Sequence, residues 1–503
     1  MTVEPAFDAF RTGYAAGTAQ IITTRIVSDL ETPVSAYLKL AARRKNAFLL
    51  ESVEGGEQLG RYSIIGLKPD IIWRAHGDKA EINRDATSDA NAFVEEQPAP
   101  LQSLKALLDE SRIDLPEDAP PMAAGVFGYF GYDLVRQIER LPNRPPAAVD
   151  APDAIFIRPT LIAVFDNIKQ EIILVAPVRP EAGVSARAAY ARAAERLSDA
   201  VTDLSAPVAA PRAPSTQPTD EIEAISNTPQ ADYLAMVKKA QEEIYAGEIF
   251  QVVLSQRFET PFKAAPFDLY RSLRRLNPSP FLFFLNFDGL ALVGSSPEIL
   301  VRVRDGEITI RPIAGTRKRG ATPEEDKALQ EDLLADPKER AEHLMLLDLG
   351  RNDVGRAARY GSVKVTDQFI VERYSHVMHI VSNVTGQLAD DADPVDAVMA
   401  GFPAGTVTGA PKVRAMEIID ALERDGRGPY GGCIGYFSAD GNVDTCIALR
   451  TAVVKDDKMY VQAGAGIVAD SNPQAEHEEC VNKSKALFAA AKAVVAAAEG
   501  NNQ

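Results

Sequence analysis

A glycine-rich segment contains the first group of residue types that could do chemistry. PAGTVTGAPK, residues 403–412, combines two glycines, two threonines and a lysine just before a predicted helix. Backbone N–H groups at a helix start, hydroxyls and an ammonium group are typical of an anion site. Only three residues separate Gly405 from Gly409, whereas a P-loop has four, and Pro411 stands where a P-loop has glycine. A nucleotide phosphate is therefore not the expected anion, and a plain loop with a helix cap is the alternative.

Two pairs of glutamates form the second such group. Glu339 and Glu342 lie three residues apart in KERAEHLMLLDLGRND, so they share one face of a predicted helix. Glu476 and Glu479 have the same spacing in NPQAEHEECVNKSKALF. Carboxylates from two helices could bind a hard divalent cation such as Mg²⁺, which prefers oxygen ligands and retains several waters. The alternative is that these glutamates are solvated and interact with the helix dipole, as glutamates at helix starts commonly do.

Further candidates for anion binding lie at strand ends and in glycine-containing strands. They are Gly315 and Thr316 in RPIAGTRKRG, Gly464 and Gly466 in QAGAGIV, Arg450 at the end of TCIALR, and Tyr430 before a glycine pair. Glycines let a ligand approach the backbone, although bulges and packing contacts are commoner reasons for a glycine in a strand. Cys433 has the spacing of a nucleophile elbow in GGCIG, but it begins a predicted strand, so we expect a buried, unreactive thiol.

Length, composition and charge exclude several classes of protein. The 503 residues exceed one ordinary core, and 46% hydrophobic with 25% charged residues is typical of a soluble globular protein. The net charge of −17 argues against a nucleic-acid or an anionic-membrane partner. The three cysteines are far apart, and the sequence shows neither a secretory signal nor an apolar run long enough for a membrane span. We therefore expect a cytoplasmic location.

The order of the predicted elements indicates an α+β fold. Residues 205–230 contain five prolines and few large apolar side chains, so they predict a linker. Before it, TPVSAYLKLAARR predicts a helix capped by Thr32, the segments AFLLESV, YSIIGL and DIIWRAHG predict separate short strands, and AIFIRPTLIAVFDN with EIILVAPV predicts a hairpin. After it, one helical block over 323–349 and many strands follow, among them TCIALRTAVV as a single strand. The pattern favours antiparallel sheets with helices between the strands.

Several segments, in this order, resemble the chorismate-binding enzymes and, among them, anthranilate synthase component I. They are RPIAGTR (311–317), EHLMLLDLGRNDVGR (342–356), VMHIVS (377–382), PAGTVTGAPK, DTCIALR (444–450), and QAGAGIVADS followed by EHEEC (462–480), with looser matches at LLES (49–52) and GRYSIIG (60–66). The resemblance implies a two-lobed fold with antiparallel sheets flanked by helices and an active site in a cleft. It implies an N-terminal α+β region at 1–204, a linker at 205–228 and a chorismate-binding catalytic region at 229–503.

The resemblance also implies a Mg²⁺-dependent lyase that makes anthranilate and pyruvate from chorismate and ammonia, the first committed step of tryptophan biosynthesis. Mg²⁺ would lie between Glu342 and Glu479, with Glu339 and Glu476 in supporting or water-mediated contact. The residues matching the family's substrate contacts are Gly315, Thr316, Thr408, Tyr430, Arg450, Gly464, Ala465 and Gly466. The residues matching its catalytic positions are His379, Glu298 as the acid for the leaving hydroxyl, Gln251 and Lys483.

Two positions distinguish relatives within this family. Gln251 stands at the position where the related isochorismate and salicylate synthases, which use water as the nucleophile, have lysine. A lysine could act as a base on water, whereas a neutral glutamine cannot. Ala314 stands where many aminodeoxychorismate synthases have lysine, so that nucleophile is missing. Both positions favour anthranilate synthase, with aminodeoxychorismate synthase component I as the nearest alternative. A catalytically silent tryptophan-binding regulator and a nucleotide-binding protein are alternatives from other classes.

A partner and an effector are implied as well. Ammonia would come from glutamine through a separate amidotransferase subunit, anthranilate synthase component II, since the chain shows no such domain. Feedback inhibition by tryptophan would use Ser52 of LLES and Pro280, Phe281 and Leu282 of NPSPFLFF. The family often has Tyr-Met at the last two positions, and the apolar replacements here are of similar size.

Overall fold

Antiparallel strands and the helices between them build residues 2–54, 58–208, 222–374 and 377–500, which the computed structural model describes. The helices are α1 (Phe7–Ala15), α2 (Pro33–Leu40), α3 (Pro100–Glu110), α4 (Ala186–Ser205), α5 (Gln230–Tyr245), α6 (Pro266–Leu276), α7 (Pro323–Ala335), α8 (Pro337–Ala357), α9 (Pro394–Gly401), α10 (Lys412–Leu422) and α11 (Pro473–Gly500). Short 3-10 turns occupy Tyr132–Gln137 and Gly405–Val407.

The strands are short except for two that exceed twelve residues. They are β1 (Gln20–Val27), β2 (Ala47–Glu54), β3 (Gln58–His76), β4 (Lys79–Asn83), β5 (Phe93–Glu95), β6 (Gly125–Phe130), β7 (Ala154–Asp166), β8 (Glu171–Val178), β9 (Ile225–Ser226), β10 (Gln251–Pro261), β11 (Phe281–Phe287), β12 (Leu290–Ser296), β13 (Ile299–Arg304), β14 (Glu307–Ile310), β15 (Ile313–Lys318), β16 (Lys364–Arg373), β17 (Val377–Gln387), β18 (Gly409–Ala410), β19 (Cys433–Ser438), β20 (Val443–Ile447), β21 (Thr451–Lys455) and β22 (Lys458–Ile467).

The strands form two antiparallel sheets that share the long strands β3 and β7. The first sheet has the order β1–β8–β7–β3–β2–β11–β12–β21–β22–β10. The second sheet has the order β5–β4–β3–β7–β6–β19–β20–β13–β14–β17, and β15 and β16 also pair with β17. Strands from before and after the predicted linker therefore pair directly, β2 with β11 and β6 with β19. The α+β class with antiparallel sheets and flanking helices is confirmed.

Alternation of side chains along the strands produces an apolar layer between the sheets and one outside each of them. Phe48 of the first sheet stacks on Phe127 of the second, with ring centroids 4.5 Å apart, in the layer between the sheets. Leu282 and Phe284 point to the opposite face of β11, into a cluster shared with α2, α4, α6 and α11. Burying one such phenylalanine stabilises the fold by roughly 1.5–3 kcal/mol. The helices thus cover the outer faces of the two sheets.

Three predicted elements differ from the structure. YSIIGL and DIIWRAHG belong to one strand, β3, whose register shifts between Pro69 and Ile71 where it passes from one sheet to the other. A proline is tolerated at such a bulge because no ladder hydrogen bond is required there. TCIALRTAVV is two strands, β20 and β21, which lie in different sheets. The block over 323–349 is two helices, because Asp336 ends α7 and caps α8.

Other local predictions are confirmed. The hairpin of β7 and β8 pairs as expected, and Thr32 caps α2 by accepting a hydrogen bond from the Ser35 backbone N–H. Cys433 begins β19 and is 1% exposed. Residues 209–221 of the predicted linker lie outside the described residues, and the division into regions at 205–228 stays a prediction. Over the described ranges, no helix combines the length and apolarity needed to span a membrane.

Candidate active site

Two neighbouring crossings between the sheets carry Glu298 and Arg450. Glu298 lies between β12 of the first sheet and β13 of the second, and Arg450 lies between β20 of the second sheet and β21 of the first. Backbone hydrogen bonds join the crossings: Ile447 N–H donates to the Glu298 carbonyl at 3.0 Å, and Ser295 N–H donates to the Arg450 carbonyl at 3.3 Å. Arg450 has φ of 47°, a left-handed conformation that is strained for a residue with a side chain. Such strain is common at functional sites.

Arg450 brings a cation to this point of the fold. Its side chain is half-buried, and burial lowers the pKa of its guanidinium below the ordinary value. Among the described residues, its guanidinium has no ion pair with a carboxylate and no hydrogen bond. Burial lowers the pKa of the nearby His379 imidazole, and the charge of Arg450 adds a smaller contribution in the same direction. A half-buried guanidinium without a protein anion is suited to a carboxylate of a ligand.

Glu298 brings a neutral carboxyl group to the same place. It is 8% exposed, and burial raises the pKa of its carboxyl to about 8. The Thr406 hydroxyl is 3.1 Å from one carboxyl oxygen and 3.2 Å from the other, and its hydrogen bonding opposes part of that rise. Near neutral pH Glu298 therefore holds a proton that it can donate. The role of Glu298 as the acid for a leaving hydroxyl stays a prediction.

His379 is fixed in one tautomer. Its Nδ1 lies 3.0 Å from the Gly315 carbonyl oxygen and 3.1 Å from the Thr316 hydroxyl. A carbonyl can only accept, so Nδ1 carries the proton and Nε2 is left unprotonated. Burial lowers the pKa of the imidazole, which keeps the ring neutral at pH 7. The β15–β17 pairing, which sets Thr316 opposite His379, brings these predicted residues together.

The glycines of β22 line up with β10 beside Tyr430. Gly464 pairs with Ser255, and Gly466 pairs with Val253. A Cβ atom at Gly464 would lie 2.8 Å from the Tyr430 hydroxyl oxygen, so only glycine leaves room for that phenol. Ala465, between the two glycines, is fully buried and faces away from Tyr430 because successive residues of a strand point to opposite faces.

Gln251 joins the start of β10 to the first glutamate pair. Its Nε2 donates to Glu342 Oε1 at 3.3 Å, and a Cβ atom at Gly466 would lie 2.5 Å from that nitrogen. Its Oε1 is buried and has no hydrogen-bond partner in the described part of the chain. An unpaired buried amide oxygen is costly, so an N–H or O–H donor that reached this oxygen would be bound favourably.

Glu342 of α8 lies near enough to Glu479 of α11 for the charge of Glu479 to contribute to the pKa of Glu342. Burial, followed by the charge of Glu339, raises the pKa of Glu342, and the charge of Glu479 adds to this. Burial likewise raises the pKa of Glu476, again with a contribution from Glu479. Lys483 Nζ lies 2.7 Å from Glu479 Oε1 and donates to the Gly464 carbonyl at 2.9 Å. The two predicted pairs, separated by more than 130 residues of chain, therefore belong to one site.

The donor set fits a hard cation that brings its own waters. Glu342 and Glu479 offer carboxylate oxygens from two helices, and their mutual repulsion would be relieved by positive charge. Glu339 is partly neutralised by Arg317, whose Nη1 lies 3.1 Å from its Oε1. Throughout the described ranges, no group of three or more His, Cys, Asp or Glu side chains is arranged to hold a metal alone. One or two carboxylates completed by water and substrate oxygens is the arrangement usual for Mg²⁺.

The glycine-rich segment forms a wall of the site through its backbone. The Thr408 hydroxyl is fully buried and donates to the Ala404 carbonyl at 2.9 Å, and the Thr408 carbonyl accepts from Val253 N–H at 2.8 Å. Lys412 is buried and pairs with Asp353 at 2.9 Å. The lysine that suggested an anion site in the sequence is therefore occupied by a protein carboxylate, and a direct contact of Thr408 with substrate stays a prediction.

The predicted effector residues meet at a different place. β2 and β11 pair so that Ser52 lies opposite Phe281, and Val53 N–H donates to the Pro280 carbonyl at 3.1 Å. Leu282 is 2% exposed and packs into the helix-covered face of the first sheet. Residues more than 200 positions apart are thus adjacent, as the predicted effector site requires, while tryptophan binding itself stays a prediction.

Sequence reasoning missed two side chains that shape this site. Thr406 was visible in the glycine-rich segment, but nothing in the sequence connects it with Glu298. Arg427, four residues after Glu423, is buried beneath Tyr430 and the glycine-rich segment. The four-residue spacing between Glu423 and Arg427 indicates that the two side chains could form an ion pair. No pattern of apolar residues, however, predicts that Arg427 is buried.

Comparison with known proteins agrees with this geometry. The family model for chorismate binding enzymes matches residues 45–489, which include every predicted site residue. The chain belongs to the chorismate-binding enzymes. Within this family it is 57% identical over 492 residues to anthranilate synthase component 1 of Cereibacter sphaeroides, covering 97% of each chain.

Solved structures of this family share the fold. Anthranilate synthase component I from Streptococcus pneumoniae superposes with a TM-score of 0.74 at 36% identity, over 92% of this chain and 99% of that one. The menaquinone-specific isochorismate synthase from Escherichia coli superposes with a TM-score of 0.69 at 20% identity, over 97% of this chain and 99% of that one. The second likeness concerns the fold alone, so the choice of reaction depends on the site.

Proposed function

We propose that this chorismate-binding enzyme is the large, aminase subunit of an anthranilate synthase, which converts chorismate and ammonia to anthranilate and pyruvate. The observation that carries the proposal is that adjacent sheet crossings hold two complementary groups: the Arg450 guanidinium, which has no ion-pair partner among the described residues, and the Glu298 carboxyl, whose pKa burial raises to about 8. The first suits a carboxylate and the second suits a leaving hydroxyl. The high identity to anthranilate synthase component 1 over nearly the whole chain supports this choice within the family.

The two carboxylates of chorismate would bind at opposite ends of the site. One would be held by Arg450 and the Tyr430 hydroxyl, next to the glycines of β22, where a guanidinium and a phenol can both donate. The ring carboxylate would lie toward Glu342 and Glu479. Those two residues would hold Mg²⁺, which when bound neutralises the ring carboxylate and stabilises charge as the hydroxyl departs.

Glu298 is the proposed general acid. Burial raises the pKa of its carboxyl to about 8, so the carboxyl is protonated at neutral pH. That proton would pass to the ring hydroxyl as the hydroxyl leaves. The Thr406 hydroxyl orients the carboxyl. His379, whose Nδ1–H is held by the Gly315 carbonyl, offers an unprotonated Nε2 as a hydrogen-bond acceptor for the substrate.

Gln251 favours ammonia over water as the nucleophile. Its side chain cannot remove a proton from water, and its Oε1, which has no partner among the described residues, can accept a hydrogen bond from an N–H of ammonia. Ala314, 9% exposed on β15, offers no nucleophile of its own. These two positions disfavour the isochorismate-forming and aminodeoxychorismate-forming reactions.

The remaining features of the proposal concern partners and control. Ammonia would be supplied from glutamine by a separate amidotransferase subunit, in the cytoplasm, with no nucleic acid or membrane involved. Tryptophan would inhibit by binding where Ser52 meets Phe281, since these residues lie together on paired strands outside the catalytic group. The step would be the first committed one of tryptophan biosynthesis.

The direct test is to mix the purified chain with chorismate, MgCl₂ and an ammonium salt at mildly alkaline pH and to follow anthranilate fluorescence. We expect a rising signal that tryptophan suppresses and that EDTA abolishes. Aminodeoxychorismate or isochorismate as the product would show that Ala314 and Gln251 do not decide the reaction. No consumption of chorismate would contradict the proposal and favour a tryptophan-binding regulator.

A further inference from the structure

Arg427 is a buried arginine behind the candidate active site. It is 4% exposed, and its guanidinium makes an ion pair with Glu423 through two hydrogen bonds, Nε to Oε2 at 2.9 Å and Nη2 to Oε1 at 2.6 Å. It donates two more, from Nη1 to the Val407 carbonyl at 2.6 Å and from Nη2 to the Val253 carbonyl at 2.7 Å. Four of the five N–H donors of this planar fork therefore have protein acceptors.

The two backbone carbonyls belong to different walls of the site. Val407 lies in the glycine-rich segment next to Thr406, which binds Glu298. Val253 lies on β10 two residues after Gln251, opposite Gly466 of β22. One guanidinium thus joins the segment that orients the proposed acid to the strand that carries Gln251.

Glu423, the other member of the ion pair, is connected to β22 through Ser255 of β10. Its Oε1 accepts hydrogen bonds from the backbone N–H and the hydroxyl of Ser255, both at 2.8 Å. Ser255 pairs with Gly464, and its hydroxyl accepts from Gln462 Nε2 at 2.8 Å. The ion pair therefore fixes the part of the β10–β22 pairing that lies against the Tyr430 hydroxyl.

Tyr430 itself is in contact with the pair. The Arg427 guanidinium carbon lies 5.5 Å from the centroid of the Tyr430 ring and 4.7 Å from that of Tyr132. The Tyr430 backbone N–H donates to the Arg427 carbonyl at 3.3 Å. The ring is therefore placed by the same residue that holds the two walls.

We propose that Arg427 and Glu423 are positioning residues for the carboxylate pocket formed by Tyr430, Gly464 and Arg450. They touch no substrate; they hold three segments of chain in one arrangement, and a shift of about 1 Å among such segments can cost about 100-fold in rate. The inference rests on the proposed function for the identity of the ligand, chorismate. The holding of the walls does not depend on it.

Arg427→Lys is the informative substitution. Lysine keeps the positive charge beside Glu423, but a single nitrogen cannot serve both carboxylate oxygens and two carbonyls on different segments. The matched control is Arg158→Lys, because Arg158 is 9% exposed and binds Asp70 through two hydrogen bonds, of 2.9 and 2.8 Å, far along the chain from the site residues.

The kinetic arm uses the full chain with chorismate, Mg²⁺ and ammonium. For Arg427→Lys we expect kcat/KM for chorismate to fall at least about 10-fold, mostly through KM, with the concentration of Mg²⁺ for half-activation unchanged. For Arg158→Lys we expect kcat/KM within about twofold of the wild type. An unchanged KM in Arg427→Lys, or an equal loss in the control, would overturn the proposal.

The second arm measures amide hydrogen exchange of the free chain and needs no substrate. In Arg427→Lys, peptides covering 403–412 and 462–467 should exchange faster, while peptides of β7 and β8 keep their wild-type rates. Acceleration spread evenly over the chain would show that Arg427 stabilises the fold in general, and no acceleration would show that it holds nothing; both contradict the proposal. If the wild type makes no anthranilate, the proposed function fails while this arm still decides the role of Arg427.

Discussion

Replacing Glu298 with glutamine should stabilise the folded chain at alkaline pH and change it much less in acid. In the folded chain, burial raises the pKa of this carboxyl from its ordinary value of 4.5 to about 8. In the unfolded chain the same carboxyl ionises near 4.5. Between these values the folded chain retains a proton that the unfolded chain has lost, so the stability contributed by the group falls as pH rises.

The size of the effect follows from the width of that interval. At about 1.4 kcal/mol per pH unit, the interval from 4.5 to about 8 corresponds to roughly 5 kcal/mol of lost stability once the pH is well above 8. About 4 kcal/mol of this loss falls between pH 5 and pH 9, because both ends of the interval lie near those values. Glutamine cannot ionise and escapes the loss, while its carbonyl oxygen can still accept from the Thr406 hydroxyl.

The assay is urea unfolding of the wild type and Glu298→Gln at pH 5 and pH 9. Trp73 is the single tryptophan, it is fully buried, and its indole N–H donates to the Ser103 hydroxyl at 2.9 Å, so its fluorescence reports unfolding. We expect the difference in unfolding free energy between the two proteins to increase by about 4 kcal/mol from pH 5 to pH 9. Glu478→Gln, an exposed change, should show no such increase. The same difference at both pH values would refute the assigned pKa and with it the proposed acid.

Three further substitutions test the other parts of the site. Glu342→Gln should abolish Mg²⁺-dependent turnover with an unchanged circular dichroism spectrum, and a near-normal rate would show that the metal assignment is wrong. Arg450→Lys should raise the KM for chorismate by about 10- to 100-fold in steady-state assays, since the two-pronged contact with a carboxylate is lost; an unchanged KM would remove Arg450 from the substrate site. Thr406→Val should move the alkaline limb of kcat/KM up by about one pH unit, because the hydroxyl stabilises the ionised form of Glu298. A limb that stays or moves down would contradict this.

Local features of the fold were predictable because they depend on neighbouring residues. The cap at Thr32, the hairpin of β7 and β8, and the helices that carry both glutamate pairs follow from short-range spacing and side-chain type. The family resemblance added the antiparallel α+β architecture and the set of predicted site residues. Neither the spacing nor the resemblance, however, could show which of those side chains form ion pairs or hydrogen bonds with other residues of the chain.

Crossings between sheets were not predictable from the same patterns. The apolar alternation of TCIALRTAVV continues through Arg450, so it predicted one strand, yet the chain leaves one sheet there and enters the other. The opposite error occurred at β3, where YSIIGL and DIIWRAHG were predicted as separate strands and the structure joins them through a shift in register between Pro69 and Ile71. A strand's sheet is decided by its partners, which lie far away in sequence, and not by its own pattern of residues.

The sequence by itself determined which residue types were available for the site: carboxylates at helical spacing, an arginine in TCIALR, glycines in QAGAGIV, and glutamine in place of a base at position 251. Only the tertiary structure decided their chemical states. Burial raises the pKa of the Glu298 carboxyl to about 8, a carbonyl fixes the tautomer of His379, and Asp353 pairs with Lys412, whereas Arg450 has no carboxylate partner in the described part of the chain. The physical reason is that a pKa and an unpaired charge depend on the surrounding atoms, and most of those atoms come from distant parts of the chain.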